Sequence, residues 1–145
     1  MIAADVPRVM EIAANLPEAP HWPESAYADA LSAESTPRRI ALVAVTLSAH
    51  IEGFTVASLV PPQAELESIA VAASSQRRGL GRLLFDGLVN ELRMSGALEI
   101  VLEVRATNHT ALSFYRSAGF GQAGLRRAYY VDPIEDAVLM RLQFA

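Results

Sequence analysis

The stretch SSQRRGLGRLLFDGL at residues 74–88 constrains the fold of this chain more than any other. Gly79 and Gly81 precede leucines that recur at steps of three and four up to Leu92, which predicts a helix beginning at residue 80 and ended by Gly96. The alternating segment ELESIAV just upstream predicts a strand. The first backbone N–H groups of a helix have no acceptor within it and lie at the positive end of its dipole. The strand, turn and helix together therefore predict an anion-binding site.

The charges around this turn favour a pyrophosphate over a single carboxylate. Arg77, Arg78 and Arg82 add three cationic side chains, and guanidinium groups bind phosphate oxygens in pairs. The lysine and hydroxyl of a Walker A loop are missing, and a dinucleotide-binding fingerprint needs a third glycine. A structural interpretation stays open at this point, in which the glycines relieve a steric conflict and the arginines are solvated.

The first half of the chain predicts two helices followed by an antiparallel meander. Asp5 before Pro7 is typical of a capped helix start, and Ser25 begins a second short helix. The segments RRIALVAVTL and GFTVASLV predict a hairpin around residues 48–53, to which ELESIAV adds a third strand. Strict alternation in this third strand predicts one face with Glu65, Glu67, Ile69 and Val71 and the other with Leu66, Ser68 and Ala70.

The second half continues the α/β pattern. LEIVLEV predicts a strand, HTALSFYRSAG predicts a short helix stopped by Gly119, and YYVDPIEDAVLMRLQF predicts one final strand. No repeat, low-complexity tract or linker interrupts the chain. Residues 1–145 are therefore predicted to form a single α/β domain.

The composition of the chain indicates which binding partners and which cellular location to expect. A net charge of −4 argues against nucleic-acid binding. The absence of cysteine excludes disulfides and thiolate chemistry, and His21, His50 and His109 lack metal-ligand spacing, so no metal is expected. No apolar run approaches the ~20 residues of a membrane span, and the N-terminus does not resemble a signal peptide. The expected location is the cytoplasm, with no membrane partner.

Three segments together resemble the GNAT acetyltransferases. SIAVAASSQRRGLGRLL is similar to the acetyl-CoA-binding segment of that family, whose pattern Q/R-x-x-G-x-G/A is matched by Gln76, Gly79 and Gly81. LEVRATNHTALSFYRSAGF and RRAYYVDPIEDAVLM look like the bacterial ribosomal-protein-alanine N-acetyltransferases, with near-constant spacing from about residue 64 to 140. The resemblance implies the GNAT fold, a mixed and mostly antiparallel sheet flanked by helices. Because MIAADVP leaves little room before the first helix, the family's first strand is expected to be short or missing.

The resemblance also implies how acetyl-CoA is held as co-substrate. In the family, the strand backbone matching Ile69, Ala70 and Val71 holds the thioester and pantetheine, and the asparagine matching Asn108 contacts the cofactor. The turn that cradles the pyrophosphate corresponds to Gln76, Arg77, Arg78, Gly79, Leu80, Gly81 and Arg82.

Catalytic roles follow from the same resemblance. The glutamate of LEVR, here Glu103, is the family's proton acceptor, and the tyrosine of the short helix, here Tyr115, is its proton donor. Tyr129 and Tyr130 are expected to shape the acceptor groove, and Glu67 is a rival base. The structural alternatives are a solvated strand charge for either glutamate and, for Tyr115, a core aromatic whose hydroxyl bonds a backbone carbonyl.

The implied reaction is acetyl transfer from acetyl-CoA to an amine, with the N-terminal α-amine of a protein such as a ribosomal protein as the expected acceptor. A small-molecule amine acetyltransferase would share the cofactor residues and differ in the groove at residues 20–35 and 126–135. A non-catalytic acyl-CoA-binding module is the alternative of another class. The loop YYVDPIEDA is shorter than the family's, and Thr107 replaces a serine. The expected oligomeric state is a monomer or weak homodimer.

Overall fold

The computed structural model describes residues 1–144, which contain four α-helices and six strands. The helices are α1 (Val6–Ala14), α2 (Glu24–Leu31), α3 (Leu80–Met94) and α4 (His109–Ser117). The strands are β1 (Arg38–Val45), β2 (Ile51–Val60), β3 (Gln63–Val71), β4 (Glu99–Arg105), β5 (Gly121–Val131) and β6 (Ile134–Gln143).

The six strands form one mixed sheet in the order β1-β2-β3-β4-β6-β5. The first three strands make the predicted antiparallel meander. Strands β3 and β4 are parallel neighbours, and the remaining pairs are antiparallel. A parallel pair needs a long crossover, which α3 supplies.

The helix starts differ from the sequence prediction in detail. Asp5 does precede α1, but its carboxylate accepts from the Ile2 backbone N–H at 2.8 Å and does not cap the helix. Helix α2 begins at Glu24 and not at Ser25, because Pro23 in an extended conformation is its N-cap. No strand precedes α1 in the described residues, in line with the expected short or missing first strand. Instead, the Met1 ammonium group donates to the Ala41 carbonyl of edge strand β1 at 3.0 Å.

The prediction of one final strand was incomplete, because β5 and β6 form an antiparallel hairpin. Strand β5 was missed since it is the outer strand of the sheet and most of its side chains are exposed. Its sequence GQAGLRRAYYV accordingly lacks an apolar period of two.

A β-bulge reverses the side-chain alternation of β3. Val56 of β2 pairs with Ser68 and Ala57 pairs with Leu66, so Glu67 is the extra residue. Leu66 and Ile69 therefore pack on the same side, against α3, whereas Ala70 packs on the opposite side. The predicted grouping of Glu67 with Ile69 on one face and of Leu66 with Ala70 on the other was wrong.

Two apolar clusters cover the two faces of the sheet. Helices α3 and α4 cover one face, where Phe85, Leu88 and Met140 are buried. Helices α1 and α2 cover the other face at the β1–β3 end, where Val9 and Tyr27 are buried. The α1/α2 cluster has no residue from β4, β5 or β6, so that part of the sheet face is free of helix packing.

Substitution of Gly53 on β2 is expected to destabilise the fold. A Cβ atom there would lie 2.9 Å from both the Ala70 carbonyl oxygen and Leu84 Cδ1. Glycine to alanine in a strand ordinarily stabilises, but overpacking here should lower the free energy of unfolding by about 1–3 kcal/mol. Urea denaturation of Gly53→Ala measures this change. The matched control is Gly121→Ala, where an added Cβ meets nothing within 4 Å, and equal midpoints for the two variants would contradict the expectation.

Candidate active site

A split between β3 and β4 forms the centre of the site. The two strands pair only from Gln63↔Glu99 to Glu65↔Val101, and the bulge at Glu67 lies just beyond that point. After it, β3 stays with β2 up to Val71 while β4 stays with β6 up to Arg105. Because a bulge bends its strand and increases twist, it accounts for the parting of the strands. The C-terminal halves of β3 and β4 therefore border an opening in the sheet.

The predicted anion-binding turn lies at the mouth of this split. Arg77 and Gly79 adopt positive φ values of 62° and 80°, and Gly79 is the N-cap of α3. Within residues 1–144, the structure shows no acceptor for the backbone N–H groups of residues 77–82. Gln76 holds the turn against the strand, since its Nε2 donates to the Val71 carbonyl at 3.0 Å. The turn thus presents a set of free donors at a positive helix end.

The three arginines of the turn differ in their contacts. Arg77 and Arg78 are exposed and make no ion pair among the described residues. Arg82 pairs with Asp86 at 3.0 Å and donates to the Ser117 carbonyl at 3.2 Å, which ties α3 to the end of α4. Arg82 therefore has a structural role, whereas the other two remain available to a phosphate.

Gly81 and Asn108 connect the split to α4. A Cβ atom on Gly81 would lie 3.5 Å from the Phe114 ring and 3.8 Å from Val71, so α3, α4 and β3 meet there. Asn108 follows β4 and caps α4, with Oδ1 accepting from the Ala111 backbone N–H at 3.0 Å. Its side-chain Nδ2 makes no hydrogen bond within the described chain and can donate to a ligand.

Glu103 projects from β4 on the face away from α3 and α4. Its neighbours Leu102 and Val104 are buried in the α3/α4 cluster, so alternation directs Glu103 to the opposite face. Oε1 pairs with Arg126 Nη1 of β5 at 3.3 Å. Oε2 is buried and makes no hydrogen bond in the part of the chain described.

Tyr115 lies on the other side of the sheet. Its ring packs between Phe114 and Phe120, with 5.5 Å between centroids in each case. Burial, together with nearby Tyr130, raises the pKa of Tyr115 to about 12. Its hydroxyl makes no hydrogen bond to any group of residues 1–144, so the alternative of a hydroxyl bonded to a backbone carbonyl is not observed.

Carboxylates and tyrosines surround Glu103. Burial, then the charges of Glu67 and Glu103, raises the pKa of Glu65, and the charge of Arg126 acts in the opposite direction. Burial and the charge of Glu103 raise the pKa of Tyr130, whose ring lies 4.1 Å from the Arg105 guanidinium.

The end of β4 and the turn after it are held by contacts of Glu135 that the sequence analysis did not identify. Glu135 of β6 accepts from the Thr107 backbone N–H at 2.7 Å and from the Thr107 hydroxyl, and it pairs with Arg105 at 3.3 Å. The hydrogen bonds from Thr107 hold the pKa of Glu135 below its usual range. The only sequence signal was that Glu135 begins the EDA motif.

Glu67 and a nearby cavity lie on the α2 side of the split. Glu67 pairs with Arg39 of β1 at 3.0 Å, and Arg39 also donates to Ser35. A cavity of about 260 Å³ adjoins Arg39 and is lined by His21, Trp22, Pro23, Ala26, Asp29 and Arg39. Most of these residues fall in the predicted groove segment 20–35.

Residues 1–144 contain no group of three or more histidine, cysteine or acidic side chains placed to hold a metal ion. Among those same residues, no helix is long and apolar enough to cross a membrane.

The chain that forms this split and donor-rich turn matches a known protein family. The acetyltransferase (GNAT) family matches residues 7–120 of this chain. This chain belongs to the GNAT acetyltransferase family. It is accordingly an acetyl-CoA-dependent N-acetyltransferase, and acetyl-CoA is bound in a solved structure of another GNAT acetyltransferase. The predictions of family, fold and enzyme class are confirmed.

Similar GNAT proteins include enzymes that act on a ribosomal protein. The ribosomal protein bS18-alanine N-acetyltransferase of Escherichia coli (strain K12) is 37% identical over 134 residues, 88% of this chain and 90% of that protein. The crystal structure of the ribosomal-protein-S18-alanine N-acetyltransferase from Escherichia coli has a TM-score of 0.82 at 32% identity, over 100% of this chain and 91% of that one. Nourseothricin acetyltransferase has a TM-score of 0.67 at 30% identity, over 76% of this chain and 68% of that one.

Proposed function

We propose that this GNAT enzyme transfers the acetyl group to the N-terminal α-amine of a protein such as a ribosomal protein, by direct attack of the amine on acetyl-CoA. The observation that carries the mechanism is the placement of Glu103 and Tyr115 on opposite faces of the sheet beside the split. A base on one face and an acid on the other fit an amine that enters from one side and a thiol that leaves on the other. The similarity to the bS18-alanine N-acetyltransferases supports the choice of acceptor.

Glu103 is proposed to take the proton from the attacking amine. An α-amine with a pKa near 8 is about one tenth neutral at pH 7, whereas a lysine near 10.4 is far less so. A carboxylate with one oxygen free can accept the proton directly or through a water molecule. The unpartnered Oε2 of Glu103 meets this requirement.

Contacts of the two glutamates favour Glu103 over Glu67 as the base. The Arg39 side chain that pairs with Glu67 is 24% exposed and also donates to Ser35. Arg39 is therefore held in place by two contacts, with Glu67 and with Ser35. The Glu103 side chain is 23% exposed and the Glu67 side chain 16%. Glu103 is therefore proposed as the base, and Glu67 is proposed to line the acceptor site.

Tyr115 is proposed to protonate the departing thiolate of coenzyme A. A phenol with its ordinary pKa near 10 is already protonated at neutral pH, and burial keeps Tyr115 in that form. The hydroxyl therefore carries a proton that it can donate to the departing sulfur. Backbone N–H groups near Ala70 and Val71, on the part of β3 that has left β4, can stabilise negative charge on the reacting carbonyl oxygen. No further side chain is needed for that step.

The donor-rich turn is proposed to hold the pyrophosphate of acetyl-CoA. Free N–H groups at residues 77–82, a positive helix end and two unpaired arginines match a doubly charged diphosphate. Gln76, Leu80 and Gly81 shape the turn, and the Asn108 amide is a further donor. Ile69, Ala70 and Val71 are proposed to contact the pantetheine through their backbone.

Tyr129 and Tyr130 are proposed to line the acceptor groove together with the α2-side cavity. Their rings lie 5.1 Å apart, and the Tyr129 side chain is exposed. The net charge of −4 suits a basic N-terminal segment, as ribosomal proteins often have. We also propose that residues 1–145 form one domain and that the protein acts in the cytoplasm. It is proposed to be a monomer or weak homodimer without nucleic-acid or membrane partners. Light scattering after size exclusion measures the oligomeric state.

Thiol release from acetyl-CoA with a panel of acceptors tests the proposed function. The panel contains peptides that start with alanine or serine, the same peptides with blocked N-termini and internal lysines, and small amines. We expect turnover on free N-terminal peptides and none on the blocked ones. Tight acetyl-CoA binding with no turnover on any acceptor would instead identify a non-catalytic acyl-CoA-binding module.

A small-molecule amine is the second candidate acceptor. The similarity to nourseothricin acetyltransferase supports it, because that protein shares the fold at 30% identity. The α2-side cavity of about 260 Å³ is also small. Turnover confined to the small amines of the panel would select this candidate.

Removing the unpaired arginines is expected to weaken acetyl-CoA binding. The variant Arg77→Gln/Arg78→Gln should raise the KM for acetyl-CoA by about 3- to 20-fold with little change in kcat, because exposed charge pairs contribute up to about 1 kcal/mol each. The effect should shrink at high salt. Steady-state kinetics at two ionic strengths measures both changes. Arg38→Gln, an exposed arginine at the far end of β1, is the control, and an equal KM change there would reject the assignment.

A further inference from the structure

Strand β4 carries two glutamates on one face, and each pairs with an arginine of the β5–β6 hairpin. Glu99 pairs with Arg141 at 3.2 Å and Glu103 pairs with Arg126 at 3.3 Å. The side-chain exposures are alike, 21% and 46% in the first pair and 23% and 59% in the second. The two pairs are therefore matched in distance and burial but lie at opposite ends of β4.

The pairs differ in what the second carboxylate oxygen does. In Glu99, Oε1 accepts from Gln63 Nε2 at 3.0 Å, so both oxygens have donors. In Glu103, Oε2 is buried without a donor among the described residues. A buried, unbonded carboxylate oxygen disfavours the folded state, and a free carboxylate would turn toward water. A contact to Glu103 is therefore needed to prevent its carboxylate from rotating toward water.

Arg126 supplies that contact. Its guanidinium bonds only Oε1 and lies 5.1 Å from the Tyr129 ring centroid. The β5–β6 register breaks between Arg126 and Tyr130, and in this interval the Ala128 backbone N–H donates to Asp136 at 2.9 Å. This hydrogen bond attaches the segment that carries Arg126 and Tyr129 to β6.

We propose that Arg126 is a positioning residue for acetyl transfer, which holds Glu103 by Oε1 so that Oε2 stays unbonded and able to accept the proton of the acceptor amine. This inference rests on the proposed function, in which Glu103 is the base. Arg126 acts through the carboxylate and contacts neither substrate. Its loss should therefore affect the rate of the chemical step and not the binding of the acceptor.

The test compares Arg126→Gln, Arg126→Lys and the matched control Arg141→Gln, with Arg126→Gln also made in the Glu103→Gln background. Kinetics with an N-terminal peptide should show kcat lowered about 10-fold in Arg126→Gln with the peptide KM within about twofold. Arg126→Lys should recover most of kcat, and Arg141→Gln should stay near wild type. In the Glu103→Gln background, Arg126→Gln should have no further effect.

The outcomes separate this inference from the proposed function. A rise in peptide KM at unchanged kcat, or an equal loss of kcat in the Glu103→Gln background, would overturn the positioning role alone. An unchanged kcat in Glu103→Gln itself would overturn the base assignment and the inference with it. Urea midpoints of Arg126→Gln and Arg141→Gln should agree, which excludes a difference caused by folding.

Discussion

Glu103→Gln is expected to lower kcat for an N-terminal peptide by about 10²- to 10⁴-fold, the usual contribution of a general base. The amide keeps the shape of the side chain and an oxygen for Arg126, but it cannot accept a proton from the amine. The peptide KM should change little, since the loss falls on the chemical step. Steady-state kinetics with thiol detection measures both parameters.

Variants of two other glutamates on the same sheet test whether the loss of kcat is specific to Glu103. Glu99→Gln changes a paired carboxylate at the other end of β4 and should leave kcat within about twofold of wild type. Glu67→Gln distinguishes the rival base. A collapse of kcat in Glu67→Gln with activity retained in Glu103→Gln would assign the proton acceptor to the bulge residue of β3.

Tyr115→Phe is expected to lower kcat by about 10²- to 10⁴-fold, because it removes the hydroxyl proposed to protonate the leaving thiolate. The ring contacts with Phe114 and Phe120 remain, so the fold should persist. Near-UV circular dichroism checks the packing. Tyr27→Phe, another buried tyrosine on the α1/α2 face, is the control and should keep kcat near wild type.

The pH dependence follows from the raised pKa of Tyr115. A folded-state pKa of about 12 leaves the phenol protonated from pH 7 to pH 10, so the loss in Tyr115→Phe should be constant over that range. The folded state also holds this proton more tightly than the unfolded state does, so stability from Tyr115 is full below pH 10 and is lost between about 10 and 12. A loss of kcat in Tyr115→Phe that disappeared by pH 9 would reject this role.

Much of the scaffold was predictable because its signals are local. The leucine period of α3, the glycines before it and the β-branched runs of the meander act through nearest neighbours along the chain. The free N–H groups of the turn follow directly from a glycine-started helix. The motifs around Glu103 and Tyr115 indicated the family, although their roles stay predictions.

Register and edge position were not predictable from local pattern. Alternation alone placed Glu67 and Ile69 on one face of β3, but the pairing with β2 inserts Glu67 as a bulge and puts Ile69 with Leu66 against α3. Strand β5 was missed because an outer strand needs no apolar face. The bulge at Glu67 and the edge position of β5 both depend on which strands are neighbours in the sheet.

The sequence by itself determined the family, the α/β class and the donor-rich turn, because these depend on residue types at short spacing. Only the tertiary structure decided that β3 and β4 part after Glu65, that Glu103 and Tyr115 lie on opposite faces, and that Arg126 holds one oxygen of Glu103. Glu103 and Arg126 are 23 residues apart in the chain and meet only because β6 pairs with both β4 and β5. Such contacts follow from strand order and register, which no short stretch of sequence encodes.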